Sequence, residues 1–274
     1  MIVDMHFHST ASDGTIAPAE LAAMTGKFDV AALTDHDTVD GVAEFLASGK
    51  GAKRRFSGCE FSIKSPEGYG EFHLLGLGFD INDGRLAELF SRILEGRAER
   101  NLKMVERLRD LGIPVSVEMA SRHAGGNVLA RPHIARALVE AGAAKDVPDA
   151  FARFLAKGQP GYVGRYRPEA REVFDVIHGA GGIVLMAHPR FWTLDEKKLE
   201  SGLGELKDAG MDGIEAFYSF NSVEETSCHL RMAKKFDFCV SAGSDYHGAN
   251  KMSSTFGMNV DPGKSGVRWA FDMI

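Results

Sequence analysis

Short apolar runs alternate with segments of helical periodicity along most of the chain. Runs that are rich in Val, Ile, Phe and Ala predict strands, and they cover residues 2–7, 30–34, 56–63, 71–79, 182–188, 213–218 and 238–245. Helical patterns predict helices at residues 18–24, 41–48, 168–181, 199–210 and 222–236. This alternation is typical of a parallel α/β sheet, and about seven strands over this length predict a barrel.

One stretch departs from this alternation. Residues 92–112 form a long, charged amphipathic pattern that predicts a helix, and the following residues contain almost no strand signal. We therefore predict an inserted helical subdomain at residues 96–160, with residues 1–95 and 161–274 forming the barrel.

Charge is unevenly distributed between these parts. Residues 96–172 contain 14 Lys and Arg against 9 Asp and Glu, whereas the remainder contains 18 against 29. A basic segment within an acidic chain is consistent with attraction of an anionic partner. A helical segment whose charges are simply solvated would account for the same numbers.

Composition narrows the possible environments and partners. The chain has 274 residues, is 44% hydrophobic and has a net charge of −6, which is typical of a globular enzyme and argues against a surface that binds duplex DNA. The three cysteines have no C-x-x-C spacing, so we expect buried thiols in a reducing compartment. Because there is no basic leader and no apolar run of about 18 residues, we expect a cytoplasmic protein without a membrane partner.

Histidines and carboxylates recur where the predicted strands end. In the first strand, His6 and His8 lie on the same face because alternate strand residues point the same way. Two adjacent imidazoles are suited to metal binding, although a hydrogen-bonded pair at a sheet edge would also explain them. The same kind of residue recurs near five further strands, at Asp35, His36, Asp37, Glu60, His73, His188, Asp245 and His247. Since strand ends of a parallel barrel meet at one mouth, we predict a metal site there.

The motifs that carry these residues resemble, in order, those of the PHP (polymerase and histidinol phosphatase) family of metal-dependent phosphoesterases. They are DMHFHSTASDG, LTDHD, CEFS, FHLLG, AHPR and GSDYHG. Two motifs of the insertion, RPHIARAL and FLAKGQPGYV, resemble the branch that acts on nucleoside 3′,5′-bisphosphates and short oligoribonucleotides. The resemblance implies an α/β fold, namely a distorted, TIM-like (β/α)7 barrel with the insertion as a helical cap. It also implies two to three divalent metal ions, with manganese, iron or zinc as candidates.

The resemblance also implies which residues hold these ions. Three ligand sets are expected, namely His6, His8, Glu60 and Asp245; Asp13, His36 and His247; and Glu60, His73 and His188. Because Asp13 stands where some family members have histidine, we expect a harder ion such as Mn²⁺. The residues expected to take part in catalysis are Asp13, His36, Glu60, His188 and His247.

The expected reaction is hydrolysis of a phosphate monoester by metal-bound hydroxide. The chain has neither the G-x-S-x-G motif of serine hydrolases nor the P-loop motif of NTPases, which argues against a serine nucleophile and against an NTPase. Phosphate also requires cationic groups, and the candidates for substrate binding are Arg131, His133, Lys157 and Arg190.

Three functions remain open. The first is removal of the 3′-phosphate from nucleoside 3′,5′-bisphosphates, together with 5′→3′ trimming of short oligoribonucleotides. The second is hydrolysis of histidinol phosphate or another small phosphomonoester. The third is a non-catalytic, metal-bound module. The basic insertion favours the first over the second, and the full set of ligands argues against the third. A small phosphorylated substrate is the expected partner, and the sequence leaves the oligomeric state open.

Overall fold

The strands match the apolar runs closely. The computed structural model describes residues 1–126, 128–251 and 255–274 of the chain. Its strands are β1 (Ile2–Asp4), β2 (Val30–Ala32), β3 (Arg54–Phe56), β4 (Gly58–Ser62), β5 (His73–Leu77), β6 (Ile183–Met186), β7 (Gly213–Tyr218), β8 (Cys239–Gly243) and β9 (Met258–Asn259). All the predicted strands are present, and most are shorter than predicted because their carboxyl ends turn into polar loops. The strands β3 and β9 were not predicted.

The strands lie in two sheets. One has the order β3-β2-β1-β9, and the other contains β4 to β8 in sequence order. Strand β5 runs antiparallel to both β4 and β6, so the prediction of a parallel sheet is wrong at this strand. The reason is that residues 63–72 contain no helix, and the chain therefore returns beside β4 in the opposite direction. The short β9 also runs antiparallel to its neighbour β1.

Backbone hydrogen bonds join the two sheets on both sides. The N–H of Met5, after β1, donates to the carbonyl of Ala242 in β8 at 2.8 Å. The N–H of Glu60 in β4 donates to the carbonyl of Asp35, after β2, at 3.1 Å. The carboxyl ends of β1, β2, β4 and β8 are therefore brought together at one edge of a mixed α/β fold.

The helices of the described chain are α1 (Pro18–Met24), α2 (Val42–Ala47), α3 (Gly84–Asp110), α4 (Val117–Ser121), α5 (Arg131–Glu140), α6 (Val147–Ala150), α7 (Ala170–Gly179), α8 (Glu196–Ala209), α9 (Val223–Phe236) and α10 (Pro262–Ser265). The helices predicted outside the insertion are all present. Helix α3 begins earlier than predicted, because the side chain of Asp83 accepts a hydrogen bond from the N–H of Arg85 at 2.9 Å and caps it.

Apolar side chains gather in separate clusters. The main cluster packs the sheets against helices α7 to α9 and includes Phe61, Leu75, Phe174, Val184, Leu203 and Val240. A second cluster lies within residues 104–155 and includes Met104, Leu108, Ile134, Leu138 and Leu155. The helices of the insertion thus pack on one another around apolar side chains of their own.

The cysteines and the helices of the described residues bear on the environment expected for the protein. Cys59 and Cys239 are buried, Cys228 is half-buried, and all three thiols are free. None of the helices in the described ranges combines the length and apolar character that crossing a membrane requires.

Candidate metal centre

The predicted ligands meet at the edge where the two sheets join. In chain order they are His6 and His8 after β1, Asp13 in the next loop, His36 after β2, Glu60 within β4, His73 at the start of β5, His188 after β6, and Asp245 and His247 after β8. Because β5 is antiparallel to its neighbours, its first residue lies beside the carboxyl ends of β4 and β6. The antiparallel strand therefore brings His73 to the same edge as the other ligands.

Glu60 lies at the centre of this cluster and is fully buried. Its Oε2 is 3.2 Å from Nε2 of His6, 3.2 Å from Nε2 of His8 and 3.0 Å from Nδ1 of His36. Its Oε1 is 2.7 Å from Nδ1 of His73 and 2.8 Å from Nε2 of His188. One carboxylate therefore connects five imidazoles that come from the ends of four strands.

Two further carboxylates border this cluster. Asp245 Oδ1 lies 3.6 Å from Nε2 of His6 and 3.3 Å from Nε2 of His8. Asp13 Oδ1 lies 3.3 Å from Nε2 of His247 and 3.9 Å from Nδ1 of His8. His8 thus lies between the two carboxylates, and its ring stacks on that of His247 with centroids 3.9 Å apart.

The donor atoms form three groups in which all atoms lie within 4.8 Å of one another. The groups are His6, His8, Glu60 and Asp245; His8, Asp13, His36 and His247; and His36, Glu60 and His73. The first is one of the expected ligand sets. The second group is the expected set of Asp13, His36 and His247 with His8 added. The third group contains His36 in place of the expected His188. His188 nevertheless contacts Glu60, with its Nε2 2.8 Å from Oε1.

The chemistry of these groups fits divalent cations. Among the described residues, several buried ring nitrogens have no hydrogen-bond partner, namely His6 Nε2, both ring nitrogens of His8, His36 Nδ1 and His188 Nδ1, and the same is true of Glu60 Oε2. Buried polar atoms are normally satisfied. Burial opposes protonation of His8, but Asp245 and Glu60 outweigh it and raise its pKa to about 9. The surplus negative charge and the unsatisfied donors would both be satisfied by bound metal ions.

Glu215 orients two of the ligands, and the sequence analysis did not identify it. Its Oε1 lies 3.0 Å from Nδ1 of His6, and its Oε2 accepts a hydrogen bond from the N–H of His188 at 2.7 Å. Carboxylates that hold the second nitrogen of a metal-binding histidine fix the ring and its tautomer. A signal for this residue was available, because Glu215 lies in the apolar strand β7 as Glu60 lies in β4.

The backbone around the ligands is strained and closely packed. His188 has φ of 25° and Asp245 has φ of 53°, a region that residues other than glycine rarely adopt. Gly243, at the end of β8, lies against His6 and Glu215, where a Cβ atom would come within 2.3 Å of both side chains. The hydroxyl of Tyr218 donates to Asp245 Oδ2 at 3.0 Å and supports this turn.

No family model matches the chain. The chain is 34% identical to the 5′-3′ exoribonuclease Rnm of Escherichia coli, over 90% of this chain and 85% of that protein. It is 33% identical to the 3′,5′-nucleoside bisphosphate phosphatase of Chromobacterium violaceum, over 94% of this chain and 92% of that protein. The chain belongs to the PHP family of metal-dependent phosphoesterases. The predicted family is therefore confirmed.

Two solved structures resemble the fold of this PHP protein over nearly its whole length. An amidohydrolase from Chromobacterium violaceum with bound sulfate and no metal superposes with a TM-score of 0.87 at 30% identity, covering 98% of this chain and 94% of that one. A metal-dependent phosphoesterase from Bifidobacterium adolescentis superposes with a TM-score of 0.82 at 29% identity, covering 96% and 93%.

A small cavity of about 170 Å³ lies beside the ligand cluster and is lined by several positively charged side chains. The ligands Asp13, His36 and His73 form one wall. Five arginines line the remainder, namely Arg97, Arg100, Arg131, Arg165 and Arg167. We call this space the arginine cavity. Of these arginines, the sequence analysis selected Arg131 alone as a candidate.

Arg97 and Arg100 could have been found from the helical periodicity. They lie on the stripe of α3 that is otherwise formed by buried apolar residues such as Leu89, Ile93 and Met104. Both arginines are 5% exposed. A charged residue at a buried position of an amphipathic helix is costly unless a partner neutralises it, so it indicates a functional role.

The arginines of the cavity differ in their partners. Arg97 and Arg165 both donate to Oδ2 of Asp37, and the second contact measures 2.7 Å. Arg131 lies 3.7 Å from Glu71. Burial and the neighbouring arginines, Arg97 first among them, lower the pKa of Arg100 to about 8, and its Nε and Nη2 have no partner among the described residues. The cavity therefore holds an uncompensated buried cation and is suited to an anion.

The other substrate-binding candidates occupy different surroundings. His133 is buried, its Nδ1 accepts a hydrogen bond from the N–H of Ala130, and burial lowers its pKa to about 4. Its imidazole is therefore neutral at pH 7. Lys157 lines a neighbouring groove that shares Arg131 with the arginine cavity. Arg190 lies 3.5 Å from Glu225, and neither Lys157 nor Arg190 lines the cavities that contain the ligands.

Proposed function

We propose that the protein removes the 3′-phosphate from nucleoside 3′,5′-bisphosphates and also trims short oligoribonucleotides from the 5′ end. The observation that supports this substrate is the uncompensated arginine cavity directly beside the ligand cluster. A substrate with one phosphate at the ligand cluster and a second phosphate in the arginine cavity would place an anion at each of the two sites. The relatives named as a bisphosphate phosphatase and as a 5′-3′ exoribonuclease support the same class of substrate.

Nine residues would hold two to three divalent ions, with Mn²⁺ favoured, and they are His6, His8, Asp13, His36, Glu60, His73, His188, Asp245 and His247. When bound, such ions lower the pKa of water and neutralise phosphate oxygens. His6 and His8 form the buried floor of the site. The residues expected to be catalytic all line a second cavity of about 820 Å³ beside the cluster, where they would face the scissile phosphate, and they are Asp13, His36, Glu60, His188 and His247.

The cations of the insertion bind the second phosphate. Within the described part of the chain, Arg100 Nε and Nη2 have no partner, and Arg131 lies 3.7 Å from Glu71 and over the ring of Phe151, so both guanidinium groups are available to an anion. Arg97 and Arg165 are held in place by Asp37 and complete the positive wall. His133, which is buried and hydrogen-bonded to Ala130, would contribute as a neutral group behind the site, whereas Lys157 and Arg190 would act at the rim.

The fold supports this arrangement. The two sheets together form the distorted (β/α)7 barrel expected of the family, which is consistent with the backbone hydrogen bonds that join them at Met5 and at Glu60. Residues 96–160 act as a cap over the mouth of the barrel, and residues 1–95 and 161–274 form the barrel. The separate apolar cluster of the insertion supports this division.

The test is a substrate screen with the manganese-loaded protein. Adenosine 3′,5′-bisphosphate is compared with 3′-AMP, 5′-AMP, histidinol phosphate and p-nitrophenyl phosphate. The expected result is the highest kcat/KM for the bisphosphate, with 5′-AMP as product. Equal or faster turnover of histidinol phosphate would contradict the proposal and favour a small-monoester phosphatase. Absence of turnover of every substrate by metal-loaded protein would favour a non-catalytic module.

A further inference from the structure

A second lobe of the site extends away from the arginine cavity. The larger cavity has a volume of about 820 Å³ and is bordered on one side by ligands such as His188 and His247. Apolar side chains line much of the rest, namely Pro132, Val147, Pro148, Phe151 and Phe191, of which Pro132 and Phe151 also line the arginine cavity. We call this space the apolar lobe. Asp13, His36 and His73 line both cavities, so the ligand cluster lies where they meet.

Phe191 is the most distinctive residue of this lobe. Its side chain is 43% exposed although it directly follows the ligand loop. The ring contacts His188 edge-on with centroids 5.1 Å apart and lies 6.0 Å from the ring of Tyr218. An aromatic ring that is held beside a phosphate site with one part exposed is suited to stack on a flat ligand.

The backbone around Phe191 is fixed. The N–H of Gly70 donates to the carbonyl of Trp192 at 2.8 Å, and the carbonyl of Phe191 packs so closely on Gly70 that a Cβ atom there would lie 2.0 Å away. Trp192 is 3% exposed and stacks on Tyr69. The exposed ring therefore projects from a rigid turn, which limits the entropy lost when a ligand stacks on it.

A nucleoside bisphosphate leaves this lobe unused. Its scissile phosphate would lie at the ligand cluster and its second phosphate in the arginine cavity, and this places the ribose that joins them between these two sites. His188, His247 and Phe191 line the apolar lobe and not the arginine cavity, so this part of the lobe lies beyond the ligands that the two cavities share. A group that occupied it would be attached to the phosphorus through the other ester oxygen, and only a phosphodiester has such a group.

We propose that the apolar lobe binds the base of the nucleotide that follows the scissile phosphate in an oligoribonucleotide, with Phe191 as the stacking platform. This inference rests on the proposed function and adds to it a binding site for the base that follows the scissile phosphate when an oligoribonucleotide is trimmed. Stacking on a ring is sequence-tolerant because every base has a flat face. The guanidinium of Arg136, which donates to Asn250, lines the same lobe and provides a positive charge for a nucleotide bound there.

The same bond breaks in both kinds of substrate. The oxygen of water forms a bond to phosphorus, the bond between phosphorus and O3′ breaks, and O3′ takes up a proton. A bisphosphate gives a nucleoside 5′-monophosphate and inorganic phosphate. A 5′-phosphorylated dinucleotide gives the nucleoside 5′-monophosphate and a second nucleoside 5′-monophosphate, whose base would occupy the lobe during the reaction.

The test compares Phe191→Ala and Phe191→Tyr with the wild type, all manganese-loaded, on a 5′-phosphorylated diadenylate and on adenosine 3′,5′-bisphosphate. Loss of one stacking platform should lower kcat/KM for the dinucleotide by about ten-fold or more. The bisphosphate should change by less than about two-fold on the same scale. The tyrosine variant should retain both activities. Leu194→Ala is the control, because Leu194 is 73% exposed nearby and does not line the lobe.

Each other outcome contradicts the inference in a distinguishable way. Equal losses on both substrates, or loss of metal by elemental analysis, would mean that Phe191 supports His188 instead of a base. An unchanged rate on the dinucleotide would exclude stacking on Phe191. Wild-type protein that cleaves the bisphosphate but not the dinucleotide would overturn the inference together with the proposed trimming, and would leave the proposed removal of the 3′-phosphate intact. If the wild type cleaved neither substrate, the proposed function would fail as well.

Discussion

Asp37 Oδ2 lies 2.7 Å from Nη2 of Arg165, although 128 positions separate the two residues in the chain. The same oxygen accepts a hydrogen bond from Arg97 of helix α3, and Oδ1 accepts one from the N–H of Ser62 at 3.0 Å. Burial opposes ionisation of Asp37, but Arg165 and Arg97 outweigh it and hold its pKa well below the ordinary value. One buried carboxylate thus joins strand β2 to two cations of the arginine cavity.

Asp37→Asn should therefore disturb the arginine cavity more than the metal centre. The substitution keeps the shape of the side chain but leaves two buried guanidinium groups without their counter-charge, which typically costs about 3–5 kcal/mol. We expect a lower Tm and a raised KM for adenosine 3′,5′-bisphosphate, with p-nitrophenyl phosphate turnover and metal content retained. Adding Arg165→Ala to this variant should cost less than it does in the wild type, because the two residues are coupled.

The reverse result would identify a different role for Asp37. It directly follows His36, so loss of metal with equal losses on both substrates would mean that it positions that ligand instead of the arginines. The elemental analysis and the double variant distinguish the two roles.

Arg100→Met should weaken substrate binding without weakening the fold. Arg100 is buried and has unpartnered guanidinium nitrogens, so removing its charge relieves a desolvation cost, while methionine retains much of the aliphatic volume. A charge-assisted contact contributes about 1.5–3 kcal/mol, and kcat/KM for the bisphosphate should fall by roughly 10- to 150-fold. Tm should stay level or rise.

Sulfate provides an independent readout for the same variant. An anion that binds the arginine cavity should raise the Tm of the wild type and have a smaller effect on Arg100→Met. Arg153→Ala is the control, since Arg153 is an exposed arginine of the insertion that pairs with Asp149. The same response to sulfate in all three proteins would place the anion elsewhere.

Glu215→Gln should weaken metal affinity without removing a ligand. Both oxygens of Glu215 accept hydrogen bonds, one in contact with His6 Nδ1 and one from the N–H of His188. A glutamine has only one acceptor oxygen, so its amide would face a second donor at one of these positions. Loss of such a supporting contact typically reduces metal affinity by about 10- to 100-fold. Competition with a chelator of known affinity measures the change, and full affinity in the variant would contradict this role.

How far the sequence predicted the site depended on whether a polar residue stood out from its neighbours. Glu60, His73 and the H-x-H pair were found because they interrupt apolar strands. Glu215 interrupts its strand in the same way, but it was not identified. Whether a buried carboxylate binds an ion or orients a ligand depends on tertiary distances that periodicity does not contain.

The arginine cavity shows the same limit at a larger scale. Arg97 and Arg165 converge on Asp37 from segments that lie far apart in the chain, so no local pattern identifies them as one group. The direction of β5 was also predicted wrongly, because an apolar run gives the position of a strand but not its orientation. In this chain the orientation is functional, since it brings His73 to the ligand edge.

Gly243→Ala tests whether close packing beneath the ligands is needed for metal binding. A Cβ atom at this position would lie 2.3 Å from the Cβ of His6 and 2.3 Å from Oε1 of Glu215. Neither group can move freely, because His6 is fully buried and Glu215 is held by His188. Overpacking of this kind typically costs about 1–3 kcal/mol, so Tm should fall and His6 should shift from its place in the cluster. We therefore expect weaker metal binding, measured by chelator competition, together with lower activity on every phosphate substrate.

Gly26→Ala is the matched control, because a Cβ atom there would meet no atom within 4 Å. A Gly243→Ala protein with wild-type Tm and full metal affinity would show that the floor of the site is more adaptable than these contacts indicate.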